Sequence, residues 1–176
     1  PSGQMQLGQF RFARQEPAAA IQHLKTAIRW DPNSPPFHHD LAMMHSLMGN
    51  TAQAIAKLRD AIRLAPQEAD YHYKLGLAYS EQGDMPQTIA ALEAAVKADP
   101  RFARAWYNLG LARNQAQQIE PALQAFAQGE AADPTDPGIP YARATILAQL
   151  GRKAEAIAAL QKTLQIRPNH PEAQQL

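Results

Sequence analysis

Residues 105–110 read AWYNLG, and residues 133–134 read DP. Trp106 stands three residues ahead of the pair Leu109-Gly110, and Pro134 follows 28 residues after the Trp. The same punctuation recurs along the chain. DP stands at 31–32 and 99–100, AP at 65–66 and RP at 167–168, so Pro32, Pro66, Pro100, Pro134 and Pro168 are each 34 residues apart. Proline lacks an N–H and turns the residue before it away from helix. Five prolines at one fixed interval therefore mark the joints of an array of similar units.

With each of these prolines as position 32, the units are 1–34, 35–68, 69–102, 103–136 and 137–170, with 171–176 left over. Position 24 holds Leu24, Leu58, Leu92, Phe126 and Leu160, and position 8 holds Gly8, Ala42, Gly76, Gly110 and Ala144. Position 20 is Ala in four units and Thr88 in the third. Small residues recur where helices must approach, and large apolar ones where a gap must be filled. Within a unit the apolar spacing is helical: Leu75, Ala78 and Tyr79, then Ile89, Leu92 and Val96. Gly49, Gly83 and Gly151 stand between the two series, where a left-handed cap ends the first helix. Gln15 and Gln117 take that place in the first and fourth units, whose turns need another solution. Each unit is predicted to be a helical hairpin, helix A over roughly positions 2–14 and helix B over roughly 18–31.

This pattern resembles the tetratricopeptide repeat: Trp, Leu-Gly, then small and apolar residues on the second helix, then Pro. AWYNLG matches the helix A pattern of that family without a gap, and the five registered units span residues 1–170. The resemblance implies an all-α protein, a right-handed α-solenoid of helix-turn-helix repeats. Residues 1–170 are expected to form one domain, and 171–176 to begin a capping or sixth-repeat helix. Trp106 is expected to be buried between helices A and B of its unit, and Gly110 to admit a neighbouring helix. His38 and His72 share the position of Trp106 and read as partly buried packing residues. Arg143 replaces the Leu of position 7 in the fifth unit, whose helix A is expected to start late, near Pro140 or Tyr141, and to pack more loosely.

Several functions are disfavoured by composition. The chain has 17 basic and 16 acidic residues and no Cys. No basic run interleaved with aromatics suggests nucleic acid, and no apolar run is long enough for membrane insertion. His38 and His45 lie seven apart on one helical face, too few ligands for a metal site. His45 and Ser46 are consecutive on a helix and point about 100° apart, so they form no nucleophile–base pair. The acidic residues are scattered rather than paired, and no phosphate-cradling loop occurs. No enzymatic activity, cofactor or metal is expected. The chain reads as soluble, cytoplasmic or periplasmic, and its abundance of Ala and Gln looks bacterial.

In the resembled family, helix A lines a concave groove that holds a peptide or helical segment of a partner protein. Carried onto this sequence, the groove would consist of His39, Tyr73, Tyr107 and Tyr141 at position 5, Lys74 and Asn108 at position 6, Leu77 and Leu111 at position 9, and Arg104 at position 2. Tyrosine suits such a surface because it joins a rigid apolar ring to a hydroxyl. The family's clamp for a terminal carboxylate is not supported. Only Asn108 matches it, while Tyr73, Leu77, Gly138 and Ala142 stand where its other residues belong. The alternative reading is a structural scaffold or oligomerisation segment within a larger protein. In the C-terminal helix, Ile157, Leu160 and Leu164 are expected to face their own helix A. Ala158, Gln161 and Gln165 then remain outside, where weak self-association is expected.

Overall fold

The computed structural model describes residues 17–173, all of whose regular structure is helical. Nine helices follow one another: α1 (Pro17–Trp30), α2 (Pro35–Leu47), α3 (Thr51–Leu64), α4 (Ala69–Glu81), α5 (Met85–Ala98), α6 (Ala103–Gln115), α7 (Ile119–Ala132), α8 (Gly138–Gln149) and α9 (Lys153–Ile166). The fold class is an all-α solenoid of helical hairpins. The helix A expected for the first repeat, with Met5 and Gln6 at positions 5 and 6, lies outside the described residues. The chain divides into two compact units, Pro1–Ala98 and Asp99–Leu176. Within the first, α2 pairs with α3 and α4 with α5; within the second, α6 pairs with α7 and α8 with α9.

The hairpins close by small-to-large contact. A Cβ added to Gly76 would sit 2.8 Å from Cγ of Leu92, and one added to Gly110 would sit 2.7 Å from Cζ of Phe126. Gly110 therefore makes room for the ring of its own hairpin partner rather than for a neighbouring repeat. Phe126 is completely buried in consequence, as is Leu58 opposite Ala42. Ala20, Ala54, Ala122 and Ala156 are buried at position 20 as their size requires. Thr88 and Thr163 replace small apolar residues at buried sites, and each donates its hydroxyl to the carbonyl four residues earlier, Asp84 (2.8 Å) and Ala159 (3.2 Å). The hydroxyl thus avoids the cost of an unpaired buried donor.

The A–B turns follow the glycine rule. Gly49, Gly83 and Gly151 have φ of 73°, 75° and 72°, with nothing within 4 Å of an added Cβ, so backbone freedom alone selects them. Gln117 is the fourth unit's solution: it adopts φ 60° without being glycine.

Position 4 has a use that its residue types conceal. The Trp106 indole N–H donates to the Pro100 carbonyl (2.9 Å). His38 Nε2 lies 2.8 Å from the Pro32 carbonyl, and His72 Nε2 lies 2.8 Å from that of Pro66. A carbonyl only accepts, so each imidazole carries its proton on Nε2. Ring N–H donation ties helix A to the preceding proline, a task open to His and Trp alike. Trp106 is correspondingly half-buried rather than enclosed, with its Cβ against Gly129.

The fifth helix A corrects another expectation. It begins at Gly138, ahead of Pro140, with Pro137 as N-cap and Asp136 Oδ1 accepting the Gly138 N–H (2.8 Å). Pro140 lies in the first turn, where a missing N–H breaks no intrahelical bond. Arg143 is half-buried, its Nη1 3.1 Å from Glu130 Oε1 on α7.

Candidate functional site

The expected groove residues fall into two sets, one in each unit. On α6, Arg104, Tyr107, Asn108 and Leu111 are spaced i, i+3, i+4 and i+7, which places them on one face. Opposite them, Ala105, Leu109 and Ala112 are buried. Arg104 is exposed, Tyr107 and Asn108 are half-buried, and Leu111 is 39% exposed, unusual for a leucine on a helix that buries so much else. The Tyr107 ring meets Phe126 edge-on at 5.9 Å and 65°. Tyr107 is therefore held rigidly by the core while part of it stays in solvent.

Tyr141 on α8 is half-buried. Its ring lies 4.9 Å from His170, tilted by 31°, so the segment after α9 folds back over it. His170 and Ala173 are buried, and the Ala173 N–H donates to His170 Nδ1 (3.4 Å). Nothing in the Tyr141 column announces this cover. The cue lies in the repeat frame, where His170 holds position 34 and Ala173 the third place of a further unit.

In the first unit, His39 is the centre of a polar cluster. Its Nδ1 is 3.2 Å from Asp40 Oδ1 and its Nε2 3.5 Å from Asp70 Oδ2, and its ring stacks on Tyr71 at 5.0 Å. Burial, followed by the charges of Glu68, Asp40 and Asp70, pushes the Tyr71 hydroxyl pKa up. The sequence pattern does not single out Tyr71. It stands two residues before Tyr73, off the position 5 column.

Tyr73 behaves differently from its counterparts. It is 5% exposed, so its ring offers no open face to a ligand. Lys74 Nζ stands 6.0 Å above that ring, and Leu77 is half-buried. Tyr73 thus serves packing, while the α6 residues retain surface.

On the helix B side of the second unit, a cleft of about 320 Å³ opens between α7, α8 and α9. Its charges are engaged with one another: Arg152 reaches Glu120 (2.6 Å) and Glu155 (2.7 Å). Among the described residues no group of three or more His, Asp or Glu could hold a metal ion. No helix among them is long and apolar enough to cross a membrane.

Antiparallel helix pairs on a 34-residue frame, small-to-large closure within each pair and a solvent-facing stripe on helix A define a helical-repeat protein. The chain belongs to the tetratricopeptide repeat family. One family model, described as TPR repeat, matches residues 44–83. Three described as tetratricopeptide repeat match residues 23–56, 78–137 and 113–176. No curated protein sequence matches the chain. Among solved structures, MamA of Desulfovibrio magneticus RS-1 is similar with a TM-score of 0.84 and 21% identity, over 97% of this chain and 96% of that one. YrrB, described as a TPR protein with an unusual peptide-binding site, gives 0.80 and 18%, over 98% and 89%. Pseudomonas aeruginosa PilF gives 0.79 and 21%, over 98% and 78%.

Proposed function

We propose that the chain is a protein-interaction module, not an enzyme, whose helix A faces take an extended or helical segment of a partner protein. The observation that carries this reading is the α6 stripe. Leu111 is 39% exposed one turn beyond Tyr107 and the donor Asn108, with the donor Arg104 one turn before them. A rigid aromatic and an exposed leucine supply contact area, while amide and guanidinium donors suit backbone carbonyls or an acidic side chain. His39, Lys74 and Leu77 extend the same surface type on the first unit, with Tyr73 beneath it; Tyr141 holds the equivalent place on the fifth repeat, where His170 covers part of its ring. The peptide-binding site named for YrrB is consistent with such a use of this fold. The test is a pull-down with the chain followed by titration of the captured partner. Leu111→Ala and Arg104→Ala should each weaken binding several-fold, and Tyr107→Ala more. Unchanged affinity in all three would reject the helix A surface.

The edge of the fifth repeat is the proposed route to self-association. Ile157 is 55% exposed, which corrects the expectation that it faces its own helix A. Ala156, Ala159 and Thr163 do so instead. At the same repeat position Ile21 and Ile55 are each 6% exposed and Leu123 is 8% exposed, because a following helix A covers them. Sedimentation should show concentration-dependent association that Ile157→Lys abolishes. A strictly monomeric parent chain at high concentration would reject it.

A further inference from the structure

The outer faces of the B helices differ sharply in charge. On α1, α3 and α5 the buried residues lie on one stripe, which leaves positions 25 and 29 facing solvent. These positions hold Lys25 and Arg29, Arg59 and Arg63, and Glu93 and Lys97, all exposed. Each pair is spaced i, i+4, so the two side chains stand side by side on their helix. The equivalent residues of α7 and α9 are Ala127, Ala131, Gln161 and Gln165. A cation in the last turn favours a helix C-terminus, which would suit Arg29, Arg63 and Lys97. It does not explain Lys25 or Arg59, and α7 and α9 form without any basic residue in their last turns. Among the described residues, the ion pairs within this unit use Lys57, His38 and His39, and Lys25, Arg29 and Arg63 are in none of them, while Glu93, one turn before Lys97 on α5, offsets that lysine's charge. Arg59 is held by the Tyr79 ring, 5.7 Å from its guanidinium, and donates to the Tyr79 hydroxyl. Beside Arg29, at the end of α1, Trp30 is 72% exposed.

We infer that this outer face of α1, α3 and α5 is a second interaction surface, and that it fits an acidic protein segment carrying an apolar group for Trp30. Guanidinium forks match carboxylates in pairs, and arginine with tryptophan is the composition of interface anchors. Single-stranded nucleic acid would call for a series of stacking aromatics, and this face has one. A bilayer would call for a broad apolar face, and the remaining outer residues are small, such as Ala18, Ala52 and Ala56.

The probe is a fluorescent synthetic peptide with glutamates at i, i+4 spacing and a central phenylalanine, titrated with the full chain at low and moderate salt. The parent chain should bind it with a clear salt dependence. Arg29→Glu with Arg63→Glu should weaken binding about tenfold or more. Lys153→Glu with Arg167→Glu, the same change in net charge on the other unit, should leave binding unchanged. Trp30→Ala should weaken binding, and in a Trp106→Phe background the remaining Trp30 emission should shift to the blue on binding. Every substituted side chain here except Trp106 is exposed, so circular dichroism should stay native. If the Glu pair fails to fold, Arg29→Gln with Arg63→Gln carries the same test. Equal losses in the two double variants would overturn the surface. Tighter binding of single-stranded DNA or of phosphatidylserine vesicles at the same ionic strength would overturn the acidic-protein assignment.

Discussion

The junction between α3 and α4 and the junction between α7 and α8 occupy the same places in the repeat but use opposite chemistry. In the first, Ile62 at position 28 packs on the cluster that holds Leu75 at position 7. In the second, those positions hold Glu130 and Arg143, paired at 3.1 Å, with Lys162 adding a 3.0 Å contact to the other Glu130 oxygen. The ionic pair is not a surface decoration: the Glu130 and Arg143 side chains are 11% and 21% exposed, and Arg143 Nε is buried without a partner. Apolar contact is non-directional and rewards area. A half-buried ion pair repays its desolvation only when the geometry is good. One backbone register accepts both, so the repeat frame constrains where side chains meet more tightly than what they are.

The harshest way to break this comparison is to force the ionic chemistry into the apolar junction. Leu75→Arg should cost more than about 3 kcal/mol, because it leaves a charge without a partner in a packed site. Adding Ile62→Glu should recover at least about 1 kcal/mol by urea titration. No recovery would show that the ion pair depends on more than its two positions. Trp106→Ala should cost about 2 kcal/mol, the sum of a half-buried ring and its bond to Pro100. A loss under about 0.5 kcal/mol would mean that neither matters.

Converting the ionic junction to the apolar form sharpens the contrast. Glu130→Ile alone should cost about 1–2 kcal/mol by stranding the half-buried Arg143. With Arg143→Leu as well, stability should return to within about 1 kcal/mol of the parent, or exceed it. A double variant worse than the single would show the pair to be a net stabiliser. Amide exchange should also be faster over residues 141–149 of α8 than over α4, and should slow in the double variant.

The first unit offers a pH test. Burial, then Lys25 and Lys57, lower the His45 pKa below its ordinary 6.5. The folded state therefore favours neutral imidazole, while the unfolded chain takes up a proton near pH 6.5. Stability from this site is full above that pH and declines as the pH falls below it, levelling off under the folded pKa. His45→Leu, which copies Leu147 at the same position, should flatten the acid side of the thermal stability profile. An unchanged slope would remove His45 as its source. Smallest of all, Gln117→Gly should raise stability by about 0.5–1 kcal/mol by relieving a left-handed non-glycine residue.

Much of this was legible before any coordinates. The proline frame, the Gly-to-Phe and Gly-to-Leu closures and the three glycine turns follow from steric rules that act locally or between positions fixed by the period. The Glu130–Arg143 pair was legible in principle as well: each is the lone departure in its column of the described repeats, and the two columns meet. The candidate site was less so. Tyr73, Tyr107 and Tyr141 are one residue type at one repeat position, yet one is buried, one is braced by Phe126 and one is covered by His170.

By itself the sequence determined the period, the hairpins and the family, because these depend on spacing and on the size of side chains. Only the tertiary structure decided how much of each tyrosine meets water, why His and Trp are interchangeable at position 4 and that Ile157 stands open. Those outcomes depend on atoms brought in by other hairpins and by the segment after α9, and exposure is a property of what surrounds a residue rather than of the residue.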